Sequence, residues 1–215
     1  MITIGLIEDN MQQCDDIEVV IRDNWLEDDQ IEFKRYDLSG NSREKLYKEL
    51  LDDITEKRIH TLIVDYKLDT NKEIIKGWDI VDFLHSELPE FPVIVLTNAP
   101  DDSRESIYID ADKVYAKKTF LNPQLQSTKE QVENLTLNMQ RYIKRREKLE
   151  KELDAKLNEL FLSSEDIDLL AEIARIESQL DGYTQTQISQ LDIKADFREI
   201  QETLRLIEKY SDEGI

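Results

Sequence analysis

Three carboxylates in this sequence stand directly behind apolar runs. Glu8 and Asp9 follow ITIGLI, and Asp65 closes TLIVD. A hydroxyl, Thr97, closes PVIVLT, and two ammonium groups, Lys117 and Lys118, follow VYA. If those runs are parallel strands, their polar ends share one edge of a sheet. Clustered carboxylates repel one another unless a cation neutralises them. Mg2+ suits a set of oxygen donors and also binds phosphoryl oxygens. A lysine beside Asp65 would stabilise charge developing on a transferred phosphoryl group. A carboxylate held in that way can act as a nucleophile and give an acyl phosphate. With two histidines and one cysteine, the chain lacks the ligands of a typical structural zinc site.

The elements that must position these groups alternate in period. ITIGLI, IEFKRYD, TLIVD, PVIVLT and KVYAK read as five strands. Between them, MQQCDDIEVVIRDNW places Ile17, Val20, Ile21 and Trp25 at helical spacing, and SREKLYKELLDDITEKR does the same for Leu46, Leu50, Leu51 and Ile54, with Ser42 as N-cap. GWDIVDFLHSEL is a helix that stops before Pro89, and DDSRESIYI is a short, weak one. Strands alternating with helices predict an α/β fold, a doubly wound five-stranded parallel sheet covered on both faces. In such sheets the ligand site lies outside the carboxyl ends of the strands, where the strand order reverses.

After Phe120 the period changes. Asn122 and Pro123 mark a helix start. A 3-4 spacing then runs through Val132, Leu135, Met139, Tyr142, Arg146, Leu149, Leu153, Lys156 and Leu160, the pattern of a coiled-coil seam. The expected organisation is an α/β domain over 1–121 and an all-α coiled-coil or helical-bundle extension over 122–215. The extension's helices are expected at 122–161, 164–181 and 185–210. The last helix of the first domain is expected to run straight into the extension.

Residues 1–121 resemble the receiver domain of bacterial two-component response regulators. GLIEDN matches the acidic pair, TLIVDYKLD the phosphoacceptor strand, GWDIVDFL the glycine that opens the third helix, PVIVLTNA the Thr/Ser strand and YAKKTF the lysine strand. The resemblance implies Asp65 as phosphoacceptor, with Glu8, Asp9 and the Lys67 backbone carbonyl helping it to hold Mg2+. It implies Thr97 and Lys118 as contacts to the phosphoryl group and Tyr115 as the switch aromatic. The lysine register can slip by one, because Lys117 adjoins Lys118; KTF against the family's Lys-Pro-Phe favours Lys118. Three departures stand out. Thr119 replaces the proline after the lysine, Asp69 stands where the family has proline, and the loop DTNKEIIKG is enlarged. Thr97 can also be read as an ordinary β-branched strand residue, and Tyr115 as a sheet-packing aromatic.

Charge narrows the partners. Across 215 residues the net charge is −20, with −7 on residues 121–215 and −13 on the rest, so neither half reads as a duplex binder. The one basic cluster, RYIKRREKLEK, reads as a solvated helix face. One cysteine excludes an intrachain disulfide, and the N-terminus lacks a basic leader, so a cytoplasmic protein is expected. The expected function is a phosphorylation-controlled adaptor. A histidine kinase or phosphotransfer protein would supply the phosphoryl group, and a downstream protein would read the helical extension. A homodimer through the seam is expected in at least one state. It would not be an enzyme beyond phosphorylation and dephosphorylation at Asp65. Two other readings stand beside it. One is a degenerate receiver serving as a constitutive scaffold. The other is a Mg2+-dependent, phosphatase-like hydrolase, which the lysine at position 67, where such enzymes carry a second aspartate, counts against.

Overall fold

The computed structural model describes residues 1–25, 30–38, 42–68, 76–98, 113–162 and 167–185. Five strands, β1 (Ile2–Ile7), β2 (Ile31–Arg35), β3 (Thr61–Asp65), β4 (Val93–Thr97) and β5 (Val114–Ala116), form one parallel sheet in the order β2-β1-β3-β4-β5. This is the doubly wound architecture that the alternating periods predict, in the flavodoxin-like strand order. Every residue of β3 and β4 is buried, which is why these two strands read as unbroken apolar runs.

The helices are α1 (Met11–Asp23), α2 (Arg43–Thr55), α3 (Gly77–Glu87), the four-residue α4 (Lys117–Phe120), α5 (Gln126–Leu162) and α6 (Ile167–Leu180). Side-chain alternation divides the core in two. On one face Leu62, Val64, Val93 and Val95 meet Leu46, Leu50 and Ile54 of α2 and Ile80, Val81 and Leu84 of α3. On the other, Ile4, Leu6, Ile63, Ile94 and Leu96 meet Ile17, Val20 and Ile21 of α1, Phe120, and Val132 and Leu135 of α5. Ser42 caps α2 as expected, accepting from the Lys45 N–H at 3.3 Å. Asn122 and Pro123 form a separate turn instead of opening the long helix. The Leu125 N–H bonds the Asn122 carbonyl at 3.1 Å, and α5 begins four residues later than expected.

The chain divides into compact units Met1–Gln185 and Thr186–Ile215. Within Met1–Gln185 the seam packs on the α/β part. Val132, Leu135, Met139, Tyr142 and Arg146 are all buried. The Tyr142 ring meets Phe91 edge-on, with centroids 5.4 Å apart, and stacks on Tyr183 at 5.6 Å; its hydroxyl donates to the Tyr183 carbonyl at 2.8 Å. The Arg146 guanidinium donates to the Ile54 and Thr55 carbonyls, both at 2.6 Å. These carbonyls lie at the C-terminus of α2, where a cation is favoured. Beyond Leu149 the seam turns to α6, with Lys156 on Glu172 at 2.8 Å, and Ile173, Ile176 and Leu180 of α6 are buried. The expected helices over 122–161 and 164–181 thus form one hairpin fastened to the α/β body. Of the helix expected over 185–210, all but residue 185 lies outside the described residues, as do DDSRESIYI and the enlarged loop from Asp69 to residue 75.

Candidate functional site

The strand order reverses between β1 and β3, so the crevice outside their carboxyl ends is the topological switch point. β1 delivers Glu8 and Asp9 there, and β3 delivers Asp65. Carboxylate oxygens of all three lie within 4.8 Å of one another. They line an open cleft of about 540 Å3 with Asn10, Met11, Gln13, Lys67, Asn98 and Lys117. A larger cleft, about 640 Å3, lies at Glu87, Glu90, Asp181 and Tyr183, away from the carboxyl ends of the strands. It gathers no comparable set of groups.

Local structure holds each acid. Asn10 is the N-cap of α1: its side chain accepts from the Gln12 and Gln13 N–H groups, and its own N–H donates to Glu8 Oε1 at 3.2 Å. Asp65 Oδ1 accepts from the Lys67 N–H at 3.3 Å. Gly77, the first residue of α3, leaves room for the Asp65 backbone: a Cβ built there would stand 1.9 Å from the Asp65 carbonyl oxygen. In the sequence this glycine marks the opening of a helix; its necessity is steric.

The corner lysine is Lys117, not Lys118. The Lys117 ammonium is 2% exposed and lies 2.6 Å from Glu8 Oε2 and 2.7 Å from Asp65 Oδ2. Lys118 is exposed and does not line the cleft. The match of KTF to Lys-Pro-Phe favours Lys118 by sequence alone and carries no information on where the strand stops. β5 ends at Ala116 and the chain turns helical at Lys117, so the next residue swings about 100° away.

The remaining candidates are arranged as follows. Thr97 closes β4, fully buried, beside Ala116 of β5 and one residue beyond the Asp65–Leu96 pair. Tyr115 is half-buried, stacks on Phe120 with centroids 6.3 Å apart, and packs against the core on the α1 face. Lys67 lines the cleft. Gln13 also lines the cleft; its residue type points to no chemistry, and its one signal in the sequence is its place in the first turn of α1, five residues after Glu8.

Burial pushes the Glu8 carboxyl up, outweighing the bond from Lys117, and the charge of Asp65 adds to the rise. Burial likewise raises Asp65 against the pull of Lys117. Three carboxylates thus gather around the buried Lys117 ammonium, which pairs with two of them. A set of three hard oxygen donors fits Mg2+. Glu8, Asp9 and Asp65 are the groups that would hold it.

No protein-family model matches the sequence, and no curated protein matches it. Among solved structures the chain is similar to a response regulator receiver domain from Rhodospirillum rubrum, at 19% identity over 64% of this chain and 92% of that one, with TM-score 0.38. It is similar to a bacteriophytochrome response regulator at 15% identity over 65% and 92%, with TM-score 0.43. The RcsB response regulator of Salmonella typhimurium, described for conformational dynamism in DNA interaction, aligns at 16% identity over 90% of this chain and 98% of that one, with TM-score 0.43.

Proposed function

We propose that this chain is a two-component response regulator whose Asp65 accepts a phosphoryl group from a phosphohistidine of a kinase or phosphotransfer protein. The observation that carries this reading is the meeting of Glu8, Asp9, Asp65 and Lys117 at the switch point of a 2-1-3-4-5 sheet. An Asp65 oxygen attacks the phosphorus, the P–N bond breaks, and the freed imidazole leaves as the phosphoaspartate forms. Lys117 is poised to pair with the charge that develops on the phosphoryl oxygens. Thr97, at the end of the neighbouring strand, is the hydroxyl nearest in register to follow the modified group. When bound, Mg2+ supplies neutralisation of phosphoryl and carboxylate charge. The nucleophile is the protein's own side chain, so each chain takes up one phosphoryl group and loses it to water. Output goes through protein contacts of the helical part, and no nucleic-acid contact is invoked. Tyr115 is the aromatic whose ring would report the modification on the α1 face.

The test is exposure to acetyl phosphate, or to beryllofluoride, with Mg2+. Wild type is expected to gain one phosphoryl group by intact mass and to bind one trifluoroberyllate, and Asp65→Asn neither. A wild type that stays unmodified, or an Asp65→Asn variant that reacts as well, sinks the proposal and leaves a constitutive scaffold as the better description.

A further inference from the structure

The Lys117 ammonium has three N–H donors. Each has an acceptor: Glu8 Oε2 at 2.6 Å, Asp65 Oδ2 at 2.7 Å and Gln13 Oε1 at 2.7 Å. The first two acceptors belong to the acidic corner. The third does not. Gln13 comes from the first turn of α1, where Asn10 Oδ1 holds its backbone N–H at 3.3 Å. The same Asn10 binds Glu8, so the amide is fixed to the turn that carries the corner. An ammonium only donates, so the amide must turn its oxygen toward Lys117.

We propose that Gln13 is a positioning residue that selects Lys117 over Lys118 and keeps its ammonium beside Asp65 when a divalent cation engages the carboxylates. The proposal rests on the phosphoacceptor reading above and adds to it the group that fixes the lysine. Glu8 and Asp65 each face two claims, one from the cation and one from Lys117. A carboxylate oxygen turned to a divalent cation is a poorer acceptor for an ammonium. A buried ammonium that lost both partners would be left with neither water nor counter-charge. The Gln13 oxygen is neutral and sits on a separate element, so its bond to Lys117 survives the engagement of the carboxylates. Lys118 is one residue further and exposed, and among the described residues it has no such acceptor.

The experiment is amine labelling with acetic anhydride, read at Lys117 and Lys118 by peptide mass spectrometry, with and without Mg2+. Gln13→Met keeps the side-chain length and helix preference but removes the acceptor. Gln13→Glu restores one, and Gln13→Ala is read in the same way as a check on packing. In wild type, Lys117 is expected to stay protected in both conditions while Lys118 is labelled. In Gln13→Met with Mg2+, labelling of Lys117 is expected to rise about 10-fold or more, the equilibrium effect of losing one charged hydrogen bond. Gln13→Glu returns it to the wild-type level. Equal Lys117 labelling in wild type and Gln13→Met overturns the proposal, as does a rise shared equally by both lysines. Labelling needs no phosphoryl chemistry. A wild type that forms no trifluoroberyllate adduct yet shows Gln13-dependent protection sinks the phosphoacceptor reading alone. A normal adduct with protection independent of Gln13 sinks the anchor alone.

Discussion

Two adjacent lysines make the sharpest contrast at the scale of single residues. Lys117 is buried between two carboxylates, whereas Lys118 is in solvent. Lys117→Ala would leave Glu8 and Asp65 without their ammonium and would remove the partner for charge arising on the phosphoryl group. Acyl-phosphate formation with acetyl phosphate is expected to slow by on the order of 10²-fold. Lys118→Ala is expected to leave the rate close to wild type. Rates measured by intact mass decide between them, and a larger loss in Lys118→Ala would return the corner to the register that KTF suggested. The three acids were legible because a carboxylate behind a buried β-branched run is costly without a purpose, and two such runs show the pattern. The lysine was not, because the choice depended on where β5 stops, and three residues of strand carry too little period to say. Gln13 was illegible for a different reason: an amide on an exposed helix turn looks like any solvated position until the fold brings Lys117 to it.

At the scale of elements, α2 is tied to its neighbours by a buried acid that the periodicity did not single out. Asp53 is 1% exposed, on the Leu50–Ile54 side of the helix. It accepts from Lys34, from the Tyr36 hydroxyl at 2.6 Å and from Arg58 Nε at 2.5 Å, joining β2 and the α2–β3 turn to the helix. Burial alone would raise its carboxyl, but the bonds from Lys34, Tyr36 and Arg58 together outweigh burial and hold it below the ordinary aspartate value of 3.8. A carboxyl lowered in the folded state stabilises fully above its unfolded value, and that contribution is lost as pH falls below 3.8 through the folded value. Unfolding free energy from urea titrations is therefore expected to drop more steeply in wild type than in Asp53→Asn between about pH 5 and pH 3. At neutral pH the variant is expected to be less stable by about 1–3 kcal/mol. Parallel pH slopes for the two proteins would refute the assignment. The helix itself was legible from its leucine spacing and Ser42. An acid on the apolar side, in LLDDIT, was the available sign of the tie, and its meaning depended on β2 being the edge strand beside α2.

For the molecule as a whole, the question is whether the helical part is an appendage or a component of the α/β body. A 3-4 seam states that one face is buried but not by what, which is why a second chain was the natural expectation. Arg146 held the clue: an arginine inside a seam needs acceptors, and here it finds the carbonyls that end α2. From Val132 to Arg146 the seam is spent on the body of its own chain, and from Leu149 onward it meets α6. Ending the chain at Leu125 would remove Val132, Leu135, Met139 and Tyr142 and uncover the faces of Ile17, Val20 and Phe120 that α5 covers. Burial of each large apolar side chain contributes about 1.5–3 kcal/mol. Loss of four such groups is comparable to the entire stability of an ordinary domain, about 5–15 kcal/mol. Residues 1–125 alone are thus expected to show no cooperative urea transition, whereas residues 1–185 are expected to keep the midpoint of the full chain. A sharp, near-wild-type transition in 1–125 would mean that α5 and α6 merely rest on the body. Phosphorylation at Asp65 would then have to reach its partner by a route other than this shared core. If the core is shared, a change at the carboxyl ends of β3 and β4 is carried by rigid, buried strands to the side chains that α5 packs on. The helices then need no flexible linker to register it.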